Sequence, residues 1–483
     1  MEHITGTPRQ QITFFPDALD DYIREDNPVR FLDAFVDGLD TQKLRFEHAT
    51  VSSTGRPPYH PKDLLKLYLY GYLNRIRSSR RLEAESGRNL EVLWLLKRLS
   101  PDHKTISDFR RENPEPLRDV FKQFVQTCRE LALFGKELVA IDSTKFKAHN
   151  SRDRVQSKKQ LDDSIDRINK SIGRYLHQLD ENDTKEGHTA PTPTKEQLQE
   201  KIATLRGQKA QLDEARTQLN NSGEKYISLT DPDCRLIWGR KGIDPGYKMH
   251  AAVDSKHSLI VDYKLTNNSP DSHQLSPVAL STKTALGVHE LTVCADTGYY
   301  DAIDLKTCED HQIEAYVSPC LPKAPKRTEV PKPGYFHDDF LYDDRSDTYQ
   351  CPAGHLLQYY QTRSKEDGRR RRIYRTNACN QCAVRRMCTA SPRGRYVYRW
   401  EHEAVLDRLK QRLKNRPEIT RNRKKIIEHV FGTQKTAWDY GAFLLRGLQN
   451  VSAEAALMNL AYNIKRALTI LGTKKLVAHL QSG

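Results

Sequence analysis

No stretch of this 483-residue chain is apolar over the length needed to cross a bilayer, and the segment MEHITGTPRQQITFFPD at its start has no basic run leading into an apolar one. A cytoplasmic protein is therefore expected, with no membrane partner. Neither a GxxxxGK[ST] loop nor a GxGxxG turn occurs, so nucleotide-triphosphatase and dinucleotide-enzyme readings have no support, and HExxH is missing as well. Nine cysteines are an odd number. Five are scattered (Cys128, Cys234, Cys294, Cys308 and Cys320) and four are clustered, which does not make a disulfide framework.

What the chain does have is positive charge: 78 Lys and Arg against 63 Asp and Glu, a net +15. Its 37% hydrophobic content is adequate for packed cores, and the length suits two to four domains. Such an excess points to a polyanionic partner, because neutralised phosphates release counterions and dominate nucleic-acid affinity. The plainer alternative is a soluble basic protein that never touches nucleic acid. Distribution separates the two: residues 351–425 hold 21 Lys and Arg against 6 Asp and Glu, an excess equal to that of the whole chain. A localised basic block favours a nucleic-acid surface.

Three segments carry candidate chemistry. LVAIDSTKFKAHN (Leu138–Asn150) is an apolar strand running into Asp142; VCADTGYY (Val293–Tyr300) is another, ending in Asp296; KKIIEHVFGTQK (Lys424–Lys435) is helical and carries Glu428 among basic residues. Taken singly, each has an ordinary reading. A strand-end aspartate usually caps a turn, DTGYYD makes a turn of standard composition, and a lone helical glutamate is usually solvated. Three acids in this order, on strand, strand and helix, suggest a metal-dependent nuclease core.

These segments resemble the insertion-sequence DDE transposases of the ribonuclease-H-like fold, with Asp142, Asp296 and Glu428 on the family's three acids. HPKDLLKLYLYGYLNRIRSSRRLE, from His60, likewise resembles the N-terminal helical domain of this group. The resemblance implies an α/β fold, a ribonuclease-H-like mixed sheet flanked by helices. It further implies two Mg²⁺ (or Mn²⁺) ions held by the three acids, Asp142 bridging them, and cleavage of the element's ends followed by joining of the 3′-OH to target DNA. Terminal inverted repeats and target DNA would be the partners, a homodimer the working form and the nucleoid the location. Relatives carry tyrosine, arginine, glutamate and lysine with two, three and six intervening residues. Here those positions are Arg421, Lys424, Glu428 and Lys435, so the glutamate and lysine match and the first two do not. A DNA-binding regulator that has lost catalysis, or a nuclease that does not join, are the alternatives.

The expected organisation is a helical DNA-binding domain over 1–130 and a catalytic domain over 131–475. The latter is interrupted by a polar helical hairpin at 155–222, whose halves flank the breaker GHTAPTPTKE, and by a Cys-rich module at 345–400. Strands are expected at Gly246–Asp254, Ser258–Thr266, Leu291–Asp296 and Glu314–Ser318, with helices at Ser272–Leu286 and Ala302–His311. In HKTISDFRRENP, Thr105 or Ser107 is the expected cap, and Arg110 and Arg111 mark either a recognition helix or a solvated surface helix. After the module the core is expected to resume at Arg421.

Cys351, Cys379, Cys382 and Cys388 are spaced C-x27-C-x2-C-x5-C, with His355 close to the first. Four thiolates suit tetrahedral Zn²⁺, and a structural zinc is expected because the Gly-, Pro- and Arg-rich sequence between them looks unable to build an apolar core. Arg385 and Arg386, with Arg369–Arg372, are candidate DNA-backbone contacts there. Tyr299 and Trp438 are either base-stacking or core residues. Asp254 and Asp271 are more readily turn and cap residues than ligands.

Overall fold

The structure is a computed structural model that describes residues 18–50, 57–184, 193–239, 242–319, 334–364 and 369–482. Cys320 and the breaker before Pro193 lie outside the described residues. Among those described, no helix is long and apolar enough to cross a membrane.

Six helices come first: α1 (Pro28–Asp37), α2 (Pro61–Leu73), α3 (Ser79–Ser86), α4 (Leu90–Leu95), α5 (His103–Glu112) and α6 (Pro114–Glu130). Pro61 opens α2 without loss, since the first amide of a helix has no intrahelical partner, and His60 accepts the Lys62 N–H. The cap of α5 is Asp102, which takes the amides of Lys104 and Thr105. Thr105 and Ser107, expected as caps, instead sit inside the helix. A carboxylate one residue ahead of it reaches the second and third amides first.

The central sheet contains β1 (Val139–Lys147), β4 (Arg235–Gly239), β5 (Gly242–Asp254), β6 (Ile260–Thr266), β7 (Leu291–Ala295) and β8 (Ile313–Val317). Its order is β6-β5-β1-β7-β8. β5 is antiparallel to β1 and β6, whereas β7 and β8 run parallel to β1. The first half of β5 outreaches β6 and pairs with β4. Helices α9 (Leu275–Leu286) and α10 (Ala302–Asp310) make the crossovers into β7 and β8, as parallel strands require. All the strands and helices expected in this part are present within a few residues.

Between β1 and β4 come β2 (Val155–Ser157), α7 (Lys158–Thr184), α8 (Lys195–Ser222) and β3 (Tyr226–Ser228). The paired helices form the expected hairpin. It is stitched at its base by Leu161, Ala215, Leu219 and Ile227, while Leu176 farther out is exposed.

The Cys-rich module is a five-stranded antiparallel sheet: β9 (Leu341–Asp343), β10 (Thr348–Gln350), β11 (Leu356–Ser364), β12 (Arg370–Arg375) and β13 (Val397–Trp400), with α11 (Arg385–Cys388) before the last. Contrary to expectation it has an apolar core of its own, built from Phe340, Tyr349, Leu357, Tyr374 and Val397. On arginine-rich β12 the pleat turns Tyr374 into this core, while Ile373 is buried on the opposite face. The main core also resumes earlier than Arg421, with α12 (Glu403–Asn415) packed on β8 and α10.

After α12 come α13 (Pro417–Gly432), α14 (Leu448–Leu471) and α15 (Thr473–Ser482). From Val451 to Ile464 every residue of α14 is buried, so this helix has no solvent face. It packs on α2 and α6 on one side and β6 on the other, so the N-terminal helices and the sheet share one hydrophobic cluster from Ile23 to Leu476. Asn463 of α14 bonds both the N–H and the C=O of Ile260, satisfying the edge strand β6.

Candidate active site

β1 and β7 are apolar up to Ile141 and Ala295, which face each other across the parallel pair. The next residues are Asp142 and Asp296. The register therefore sets two carboxylates side by side on strands whose axes are about 4.8 Å apart, at the carboxyl end of the parallel strands where open α/β sheets bind ligands.

α13 crosses this end of the sheet. Its buried face is Ile419, Arg423, Ile426, Ile427 and Val430, so helical phase inserts one arginine into an apolar stripe. The Arg423 guanidinium hydrogen-bonds Asp142 Oδ2 through Nη1 and approaches Asp296 Oδ1 through Nη2 at 3.4 Å. Burial pushes the Asp142 carboxyl above its ordinary range, and Arg423 opposes that shift. Sequence reasoning passed over this residue. Among the four cations of RNRKK, only the buried stripe tells which one turns inward.

Glu428 lies on the same helix, rotated about 140° from Arg423. It is exposed, and among the described residues no hydrogen bond or ion pair joins it to either aspartate. Lys435 follows on a π-helical turn, Thr433–Ala437. Its Nζ donates to Thr144 Oγ1 (3.0 Å) and the Lys145 carbonyl (2.7 Å), so the lysine is docked on β1 two residues beyond Asp142. Arg421 and Lys424 are exposed.

On the opposite face of β1, Ser143 Oγ donates to Asp271 Oδ1 at 2.7 Å, and Lys248 Nζ stands 2.9 Å from the same oxygen. His250, fully buried, hydrogen-bonds Tyr299 through Nδ1 (2.6 Å) and Thr266 through Nε2 (3.2 Å), with Asp271 3.7 Å away. Asp271 thus braces the strand that carries Asp142. Asp254 caps a turn, accepting the amides of Gly135, Lys136 and Lys256. Tyr299 and Trp438 are both buried in the core, which leaves no face for a base.

Among the DNA-contact candidates, Arg110 is overturned. It is 5% exposed, its guanidinium lying 5.4 Å from the Tyr68 ring. The stripe of Ile106, Phe109 and Arg110 is the buried face of α5, so Arg110 is a packing residue. Arg111 is half-exposed and paired with Asp108 (2.8 Å) and Glu112 (3.1 Å). Arg385 donates to the carbonyls of Ser391 and Pro392, and Arg386 is exposed.

Cys351, Cys379, Cys382 and Cys388 are all free thiols and, with His355, border one cavity of about 20 Å³. Among the described residues, however, the set of acids, thiols and imidazoles whose ligand atoms all lie within 4.8 Å of one another is His273, Asp301 and Asp304. Two of those have other work: Asp301 caps α10, and Asp304 holds the N–H and hydroxyl of Ser276.

Residues 17–112 match the model of a family described as a transposase domain, DUF772, and residues 350–468 match one described as a transposase DDE domain. Glu428, Lys424, Lys435 and the four clustered cysteines fall inside the second match; Asp142 and Asp296 fall in the unmatched middle. No curated protein and no solved structure matches the chain.

Two outcomes follow from this geometry. Arg423→Gln, which leaves Asp142 and Asp296 without their cation, should cost about 1–3 kcal/mol of stability in metal-free buffer; an unchanged urea midpoint would mean the backbone alone holds the acids together. His250 provides a pH window. Burial pushes its imidazole down to about 4, against the pull of Asp271 and with the help of Lys248 and Lys264. Between pH about 6.5 and about 4 the unfolded chain binds the proton and the folded chain does not. Its contribution is therefore complete above pH 6.5 and lost as pH falls, by roughly 3 kcal/mol. His250→Asn should flatten the stability slope across that window, and an equal slope in both proteins would contradict the buried neutral imidazole.

Proposed function

We propose that this chain is an insertion-sequence DDE transposase, as its two transposase-family matches support, and that it cuts DNA at the ends of its element and joins the freed 3′-OH to a target. The observation that carries this reading is the register that sets Asp142 beside Asp296 around a single cation. A ribonuclease-H-like core is supported by the order β6-β5-β1-β7-β8, with only β5 antiparallel to its neighbours.

The acids fit a hard divalent ion. They offer carboxylate oxygens alone, and the gap between them already accommodates positive charge. Asp142 and Asp296 would hold Mg²⁺ or Mn²⁺, and Glu428, exposed on α13 about 140° round from Arg423, would join them on a turn of that helix. When bound, such ions neutralise phosphoryl oxygens and lower the pKa of an attacking water. The chain's own part is to position. Asp271 and Ser143 fix the strand beneath Asp142, Lys435 is held on β1 beside the path of the phosphate, and Arg421 and Lys424 line the same helix in solvent. DNA would run over this basic face, with two protomers acting on two ends.

Asp142→Ala, Asp296→Ala and Glu428→Gln should each lower Mg²⁺-dependent cleavage of DNA spanning the native flanks by about 10³-fold or more, with end binding retained. Loss of binding in all three would make the acids structural. Wild-type cutting without strand joining would leave a nuclease, and tight binding without any cutting a regulator.

For the module, the shared cavity supports a structural Zn²⁺ on Cys351, Cys379, Cys382 and Cys388. Elemental analysis should find one zinc per chain, and Cys382→Ser should lose it together with protease resistance over the module. A zinc-free wild type whose four thiols all react under native conditions would remove the metal.

A further inference from the structure

Exposed apolar side chains are unevenly placed. Of the fifteen large hydrophobic residues left exposed among those described, six lie in the Cys-rich module from Leu341 to Trp400, three of them tyrosines on β11 and β13: Tyr359, Tyr360 and Tyr398. Tyrosines in strands of a sheet that already has an aromatic core have no packing reason to remain in water.

The pairing registers show how two of them share a face. On β12, Tyr374 points into the module core, so Ile373 and Arg375 lie on the other face, where Ile373 is buried (2% exposed) and Tyr398 stands opposite it on β13. On β11 a bulge between Tyr359 and Gln361 inserts Tyr360 as an extra residue. Such an insertion re-aims a side chain. Tyr360 is thereby brought to the outer face, where Arg375 stacks over its ring at 3.8 Å and Tyr396 lies 6.4 Å away. Tyr360 is 44% and Tyr398 47% exposed. Tyr360 and Tyr398 stand on β11 and β13, two strand spacings or about 9.6 Å apart across β12.

Charge selects the occupant. None of β11, β12 or β13 carries an aspartate or glutamate anywhere along its length, while β12 alone has four arginines. A flat, carboxylate-free face of tyrosines backed by guanidinium planes offers stacking surfaces and phosphate contacts together. Duplex DNA hides its base faces inside the stack and would use only the arginines. Unstacked bases use both.

We propose that the outer face of this sheet around Tyr360, Tyr398 and Arg375 binds single-stranded DNA, with bases stacking on the two tyrosines and the backbone following Arg375. The choice of DNA over RNA rests on the transposase reading; the stacking itself does not, and binding here is independent of the carboxylates on the main sheet.

The test is fluorescence anisotropy on full-length protein in magnesium-free buffer, with a dye-labelled mixed-sequence single strand, the same sequence as duplex, and its RNA counterpart. Tyr360→Ala/Tyr398→Ala should weaken single-strand binding about tenfold or more and leave duplex affinity unchanged. Tyr360→Phe/Tyr398→Phe should bind as wild type, since the ring is kept, and so should Asp142→Ala, so that failure of the cleavage reading remains a separate result. Equal losses on single strand and duplex would reduce the face to a phosphate contact. No loss in the alanine pair, or no single-strand binding by wild type, would overturn the proposal. Tighter binding of the RNA strand would overturn the choice of DNA.

Discussion

Two carboxylates on neighbouring strands repel, and a sheet that sets Asp142 and Asp296 in adjacent register has to meet that cost. It does so with one guanidinium. Among the described residues Arg423 is the group that touches both, and it reaches them because α13 turns a single charged residue into its apolar stripe. The balance is visible at Asp142, whose carboxyl is pushed up by burial first and pulled down by Arg423 second. Desolvation is the larger effect, so Arg423 offsets part of the cost of burying the Asp142 carboxylate.

Holding α13 in place is therefore a requirement of the site, and the rest of the molecule is arranged around it. α14 lies buried against β6 on one side and the N-terminal helices on the other. Its Glu454, 1% exposed, is satisfied by Arg77 and by the amides of Leu444 and Leu445, so a buried charge ties the first helices to the segment that follows α13. The chain ends also meet, where Thr473 Oγ1 donates to the Asp26 carbonyl and α15 packs on α1. A segment that reads as a separate N-terminal domain thus shares the core that carries the acids.

The apolar runs leading into Asp142 and Asp296, the crossovers, and the hairpin were legible because each depends on local periodicity, although β1 runs on past Asp142 to Lys147. What was not legible depends on which face a partner covers. Arg110 and Arg111 are adjacent in sequence, yet one is buried under Tyr68 and the other is solvated. Only the position of α2 distinguishes them. Arg423 has the same character among its basic neighbours. The module core was missed for a related reason: its apolar face is made of tyrosines spaced by arginines, which lowers the mean hydropathy of each strand while leaving every second residue able to pack.

That pattern changes how the chain's positive charge is to be counted. Arg372 lies over Tyr359, Arg395 over Phe340 and Arg399 over Tyr342, so part of the basic block is already engaged with aromatic rings. Arg423 is engaged with carboxylates, and Lys435 with Thr144 and a carbonyl. A net charge read from sequence sets the sign of the long-range field and the partner it attracts. It does not give the number of cations a phosphate backbone meets on arrival. In this fold those are the ones left in solvent, Arg421, Lys424, Lys425 and Arg386 among them, together with any that a polyanion can draw away from a ring more easily than from an acid. A cation–ring contact gives up less than a buried ion pair when it opens. Arg372 and Arg399 are held by Asp347 and Asp407 as well as by rings, so Arg375, stacked on Tyr360, is more readily transferred to DNA than they are, and Arg423 is the part least so.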